Sequence, residues 1–346
     1  VQVWTLGADA PLAQFSVHPG LIVACEDSRW NARLGTGVAS WEVKRLGGYE
    51  PFENPIGFGV GCNFTLNGTE FDWGFEHGEG SGWVEAAGGP DGLSAGSFGQ
   101  HGQYGMVDEH RLRPALLPAM MEKPWARGEV RYIENRPPEG FLRPQTADDL
   151  ADEHGVWDAL LLNVEPLTVP AHTTRRVLID LQDYVCAYPR LICSGGEGAE
   201  IRMLWAESLY EGEIESWWDA YRGRKGNRDE IEDKTLVGTG DRVLPDGGDV
   251  RVFEPLWWRA GRYVEVQITT GDRPLTLDAL TFLETRYPLV PETFFRSDDD
   301  RLTEVWPMMV RALQMCAHET YMDCPYYEQL MYVGDTRLEV LVTYCL

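Results

Sequence analysis

Three carboxylates, Asp323, Glu328 and Asp335, share the stretch 319–335 with Tyr321, Tyr326, Tyr327 and Tyr332. Acids among aromatic rings suit the hydrolysis of sugars. A carboxyl kept protonated near neutral pH can pass its proton to a glycosidic oxygen. Ionised carboxylates accept hydrogen bonds from sugar hydroxyls, and an aromatic ring covers the apolar face of a pyranose. A plainer alternative stands beside this one. Acids in a loop between helices are commonly solvated, and Asp335 is also placed to be the N-cap of the helix that follows.

The order of the residues adds to their types. Asp323-Cys324-Pro325-Tyr326-Tyr327-Glu328-Gln329, then Tyr332 and Gly334-Asp335, resembles the active-site signature of the bacterial α-L-rhamnosidases of glycoside hydrolase family 78. That signature runs from an Asp to a general-acid Glu, an aromatic residue and Gly-Asp. Tyr332 departs from it, because many members carry Trp there. The resemblance implies an inverting glycosidase that removes terminal α-L-rhamnose. In such an enzyme one acid protonates the leaving oxygen while a base activates water on the opposite face of the ring. Carried onto this chain, Glu328 is the catalytic general acid. Asp323 and Asp335 hold rhamnose hydroxyls, and Tyr332 and Tyr327 pack against the sugar. The family's general base lies further downstream, so the 346-residue chain alone is expected to be inactive. Two alternatives remain: a non-catalytic carbohydrate-binding sandwich, and another glycosidase built on an (α/α)6 barrel.

Helical patterns flank the stretch, and Pro325 stops a helix from running through it. Upstream, Ser297-Asp298-Asp299-Asp300 provides an N-cap and acids for a first turn. Leu302, Val305, Trp306, Met309, Leu313 and Cys316 follow at helical spacing and predict one buried face. Pro307, inside that pattern, predicts a kink or a later start. Leu338, Leu341, Val342 and Cys345 predict a second helix. His318 reads as a structural histidine, since nothing pairs it with a nucleophile.

The rest of the chain reads as β structure. Alternation over 1–6 predicts a strand. Glycines and prolines at 47, 48, 51, 55, 57, 59, 61 and 88–90 predict the turns of an all-β sandwich. Asp27-Ser28-Arg29-Trp30, Trp41 and 82–86 resemble the family's accessory sandwich. The stretch 112–122 resembles its exit connector, and prolines at 114, 118 and 124 exclude a regular helix there. Residues 135–155 read as linker. Short strands are predicted at 159–164, 174–181, 184–192 and 200–207, and 251–268 resembles the strands that pack on the helical barrel. Between these, 211–249 reads as a polar excursion whose Arg222, Arg224, Lys225 and Arg228 face water.

The expected fold is multidomain β + α. Two β-sandwich (jelly-roll-like) domains, 1–134 and 135–286, precede the first helices of an (α/α)6 barrel at 287–346. The resemblance implies that the chain begins inside the first sandwich and ends inside the barrel. Composition narrows the partners. Thirty basic against 55 acidic residues give a net charge of −25, which repels nucleic acid and anionic membrane and suits a neutral carbohydrate such as a rhamnoside. Of the 13 Trp, 14 Tyr and 12 Phe, most are expected in sandwich cores. The seven cysteines have no metal-site spacing and read as free thiols, Cys324 among them as structural. No cofactor and no metal are expected. No run of about 18 apolar residues predicts a membrane span. The chain opens on Val1 without a signal-peptide pattern, and periplasmic or secreted and cytoplasmic locations both stay open, as does the oligomeric state.

Overall fold

The structure, a computed structural model, describes residues 1–4, 20–52, 62–89, 91–92, 112 and 114–346. The turns read at 55, 57, 59, 61 and 90 lie outside these residues. Backbone contacts divide the chain into two compact units, one of residues 1–47 and 71–118 and one of 48–70 and 119–346.

In chain order the first elements are α1 (Ser28–Leu34), β1 (Glu42–Val43), β2 (Tyr49–Phe52), β3 (Asn63–Asn67), β4 (Val84–Glu85), β5 (Met121–Pro124) and β6 (Glu129–Glu134). There follow α2 (His154–Leu161), β7 (Leu167–Val169), β8 (Thr174–Gly195), β9 (Glu200–Ala206), β10 (Tyr210–Glu211), α3 (Trp217–Arg222), β11 (Lys234–Thr235) and β12 (Thr239–Leu244). The last are β13 (Arg251–Phe253), β14 (Arg259–Thr269), β15 (Leu275–Arg286), α4 (Asp300–Cys316) and α5 (Val333–Thr343).

The first unit holds α1, capped by the Asp27 side chain, which accepts from the Arg29 N–H at 2.8 Å. It also holds the antiparallel pair β1 and β4. Residues 1–4 form no strand, and Asp27-Ser28-Arg29-Trp30 opens a helix.

The second unit is built on an 11-stranded sheet in the order β2-β3-β12-β9-β14-β8-β15-β5, with β6 and β13 also on β8 and β7 on β15. Only β3 and β12 run parallel among these pairings. Strand β8 is continuous over 22 residues, where the sequence suggested two strands. It spans both layers of a sandwich. Trp205 of β9 meets Phe282 of β15 edge to face at 5.4 Å, although two strands separate them in the sheet. The predicted strand 200–207 is β9, and its side chains alternate between half-buried and buried up to Trp205.

Three expectations fail here. The apolar run 159–164 lies half in the last turn of α2 and half in the turn after it, and α2 buries Trp157 and Leu160 three residues apart on one face. A run that short fits either element, and burial of a leucine, worth about 1.5–3 kcal/mol, rewards both. The linker 135–155 contains two short 3-10 turns and the start of α2. The polar excursion 211–249 contains α3 and the central strand β12. Its polarity hid the strand because Asp241, only 1% exposed, is neutralised by Arg259 on β14.

Helix α4 starts at the Asp299 cap, whose side chain accepts from Arg301 N at 3.1 Å, and continues through Pro307. Val310, Leu313 and Met315 are its buried residues, while Leu302 and Met309 are each 53% exposed, against the single buried face read from spacing. Arg311 fastens α4 to the sheet by an ion pair with Glu284 of β15 and a 2.6 Å hydrogen bond to the Tyr184 carbonyl of β8. No helix among the described residues is long and apolar enough to cross a membrane.

Candidate functional site

The loop between α4 and α5 is held to the sandwich by side chains that alternate with its acids. Met322 and Tyr326 are 1% and 4% exposed, and the Tyr326 hydroxyl donates to the Trp205 carbonyl at 2.7 Å. Gln329 is buried too. Its amide donates to the Pro325 carbonyl at 2.9 Å and its carbonyl accepts from Trp257 Nε1 at 2.7 Å. Its backbone has φ 39, a left-handed conformation that costs a non-glycine residue about 1–3 kcal/mol. The bond from Gln329 N to Cys324 O at 2.9 Å closes the turn that carries Glu328.

Asp323, Glu328 and Tyr332 stay half-buried, and Asp335 is exposed. The Tyr332 hydroxyl donates to Glu328 Oε2 at 2.5 Å, and that carboxylate holds the phenol pKa up to about 12. Burial raises Asp323 to about 6, opposed by the backbone N–H of Cys324 and reinforced by the charges of Glu328 and Asp335. Its Oδ1 is buried without a hydrogen-bond partner. Asp335 is the third residue of α5 rather than its cap, which is Tyr332.

A fourth acid, missed in the sequence, joins these three. Glu339 lies one helical turn after Asp335, where residues four apart share a face. Burial first, then the charges of Asp335 and Asp323, push its pKa up to about 7, and its Oε2 is buried without a partner. The like-charge spacing was the signal, and the motif simply ended before it. Among the described residues no Lys, Arg or His forms an ion pair with Asp323, Glu328, Asp335 or Glu339.

Tyr327 is engaged elsewhere. Its hydroxyl takes a bond from Lys225 Nζ at 3.0 Å and lies 3.1 Å from the Tyr210 hydroxyl. Lys225 also pairs with Glu207 at 2.7 Å. One residue of the basic run expected to face water therefore ties the excursion to the motif loop. His318 is 3% exposed and stacks on Trp258 at 4.0 Å, and burial drives its pKa down to about 3. It is a neutral core residue at any ordinary pH. Burial raises the Cys324 thiol, which keeps it protonated and unreactive. All seven cysteines are free. Among the described residues no three His, Cys, Asp or Glu side chains are placed to hold a metal ion. Two cavities on this unit, of about 350 and 470 Å³, are lined by no residue of the motif.

No protein-family model and no curated protein matches the chain. Solved structures give partial likenesses. A GH78 family rhamnosidase of Bacillus sp. GL1 is 23% identical with a TM-score of 0.39, over 52% of this chain and 17% of that one. A rhamnosidase from Klebsiella oxytoca with rhamnose bound is 18% identical with a TM-score of 0.39, over 65% and 41%. The CBM32-1 and CBM32-2 domains of Clostridium perfringens ZmpB, in complex with GalNAc, are 11% identical with a TM-score of 0.27, over 47% and 34%. The chain thus spans less than half the length of each.

Proposed function

We propose that the loop between α4 and α5 is the proton-donating side of a glycoside hydrolase site acting on α-L-rhamnosides, with Glu328 as general acid. The observation that carries this is the gathering of Asp323, Glu328, Asp335 and Glu339 with no basic partner among the described residues, on a loop fixed by Tyr326 and Gln329. Carboxyls without a basic partner, two of which, Asp323 and Glu339, have their proton affinity raised by burial and by neighbouring charge, suit acid catalysis better than structure, where buried acids are matched by arginines. The order Asp323, Glu328, Tyr332, Gly334, Asp335 supports rhamnose as the sugar.

In this assignment Glu328 protonates the departing glycosidic oxygen. The Tyr332 hydroxyl fixes the orientation of the Glu328 carboxyl. Asp323 and Asp335 accept hydrogen bonds from sugar hydroxyls, and Tyr332 and Tyr327 bound the sugar, Tyr327 being held upright by Lys225. Helices α4 and α5 stand as the opening hairpin of an (α/α)6 barrel.

The test is hydrolysis of two α-L-rhamnosides by the longest natural form of this chain and by its Glu328→Gln variant. With a sugar or alkyl leaving group the variant is expected to lose about 10²–10⁴ of the rate, the usual contribution of general-acid catalysis. With an activated aryl leaving group, which departs without a proton, the loss is expected to shrink. A variant retaining more than about a tenth of the rate on the sugar leaving group contradicts the assignment.

A further inference from the structure

A groove of about 470 Å³ crosses the outer end of the large sheet, over β2, β3, β12 and β9. The pairing register explains its lining. Glu50, Thr65, Arg242 and Arg202 lie side by side across the four strands, so their side chains share one face. Phe52 stands opposite Asn63 in the next row, on the same face. Gly240 occupies the floor, where an added Cβ would lie 1.8 Å from the Met203 carbonyl oxygen.

Three features define what fits there. Phe52 is 41% exposed at one end and offers a flat apolar surface. Asn63 is 1% exposed, and while its Nδ2 donates to Thr239 Oγ1 at 2.8 Å, its Oδ1 is buried with no donor. Such an acceptor calls for a hydroxyl or a water. The charges balance. Arg202 pairs with Glu200 at 2.5 Å, Arg259 pairs with Asp241, and Glu50 faces Arg242 across one intervening strand. Arg202 and Arg242 remain 43% and 38% exposed at the side chain, with donors available to ligand oxygens.

We infer that this groove is a second, non-catalytic binding site for a neutral pyranose. Such a ring presents an apolar face to Phe52, hydroxyl protons to Asn63 and oxygens to the two arginines, and the volume lies in the usual range of small-ligand sites. The inference does not depend on the hydrolase assignment, because none of these residues belongs to the motif loop.

Saturation-transfer NMR and calorimetry on the whole chain test it, with the methyl glycosides of L-rhamnose, D-galactose, D-glucose and D-mannose, and D-glucuronate, as probes. At least one neutral glycoside is expected to bind. Phe52→Ala, at an exposed position, and Arg242→Ala, at a half-buried one, are each expected to weaken it by at least about tenfold, equivalent to about 1.4 kcal/mol. Two results overturn the inference: no neutral glycoside binds, or binding survives both groove variants. Tighter binding of glucuronate than of every neutral sugar also overturns it.

Discussion

Asp241 and Asp335 belong to the same compact unit and sit in opposite surroundings. Asp241 lies inside the sheet and holds Arg259 through both oxygens, at 2.5 and 2.8 Å, with Phe64 N donating at 2.8 Å. Glu265 nearby meets Arg176 at 2.6 Å, and Asp180 meets Arg262 and Arg131 at 2.8 and 3.0 Å. Burial raises the Glu265 carboxyl even so, and the Arg176 guanidinium opposes it. At the motif loop, Asp335 shares its surroundings with Asp323, Glu328 and Glu339, and no guanidinium among the described residues pairs with them. In the sheet, each acid named here is neutralised and fixed in place. On the loop the acids lack such partners, and burial and neighbouring charge raise the proton affinity of Asp323 and Glu339. The first arrangement serves the fold, and the second suits chemistry that moves a proton.

The largest expected effect breaks the paired side. Arg259→Ala strands the buried Asp241 charge and is expected to cost about 3–5 kcal/mol in urea unfolding. Asp335→Asn, in contrast, removes a repelling charge at an exposed position, and its melting temperature is expected to equal or exceed that of the parent. An Asp335→Asn protein that melts well below the parent would erase the distinction. A smaller effect separates anchor from acid within the loop. Gln329→Ala removes the bonds from Trp257 and to Pro325, and a loss of about 1–3 kcal/mol is expected in the same assay.

The candidate site was legible in part from residue types and spacing. Asp323, Glu328, Tyr332 and Asp335 stand out by order alone, and Tyr332 does meet Glu328. What holds them was not legible. Tyr326 and Gln329 act through a carbonyl on β9 and an indole just before β14, about 120 and 70 residues upstream, and no local pattern reveals such partners. Tyr327 looked like its neighbours until Lys225 was found on its hydroxyl. Alternation located β9, because one of its faces is buried and the other is half-exposed. It could not locate β12, whose buried Asp241 reads as surface until Arg259 is placed beside it. Nor could spacing say how much of the apolar surface of α4 is covered, since that depends on the neighbours it packs against.

The unpaired side has a pH signature. Asp323 and Glu339 are raised from 3.8 and 4.5 to about 6 and about 7, so between those limits the folded chain binds more protons than the unfolded one. Stability contributed by these two groups therefore falls as pH rises from about 4 to about 7. Carbon-13 NMR titration of the side-chain carboxyls, with Glu339 assigned by comparison with Glu339→Gln, tests the cause directly. A Glu339 midpoint near 7 that moves down in Asp335→Asn is the expected result. A Glu339 carboxyl already ionised at about pH 5, with a midpoint indifferent to Asp335, would contradict the account of Glu339 as an acid held protonated by burial and by its acidic neighbours.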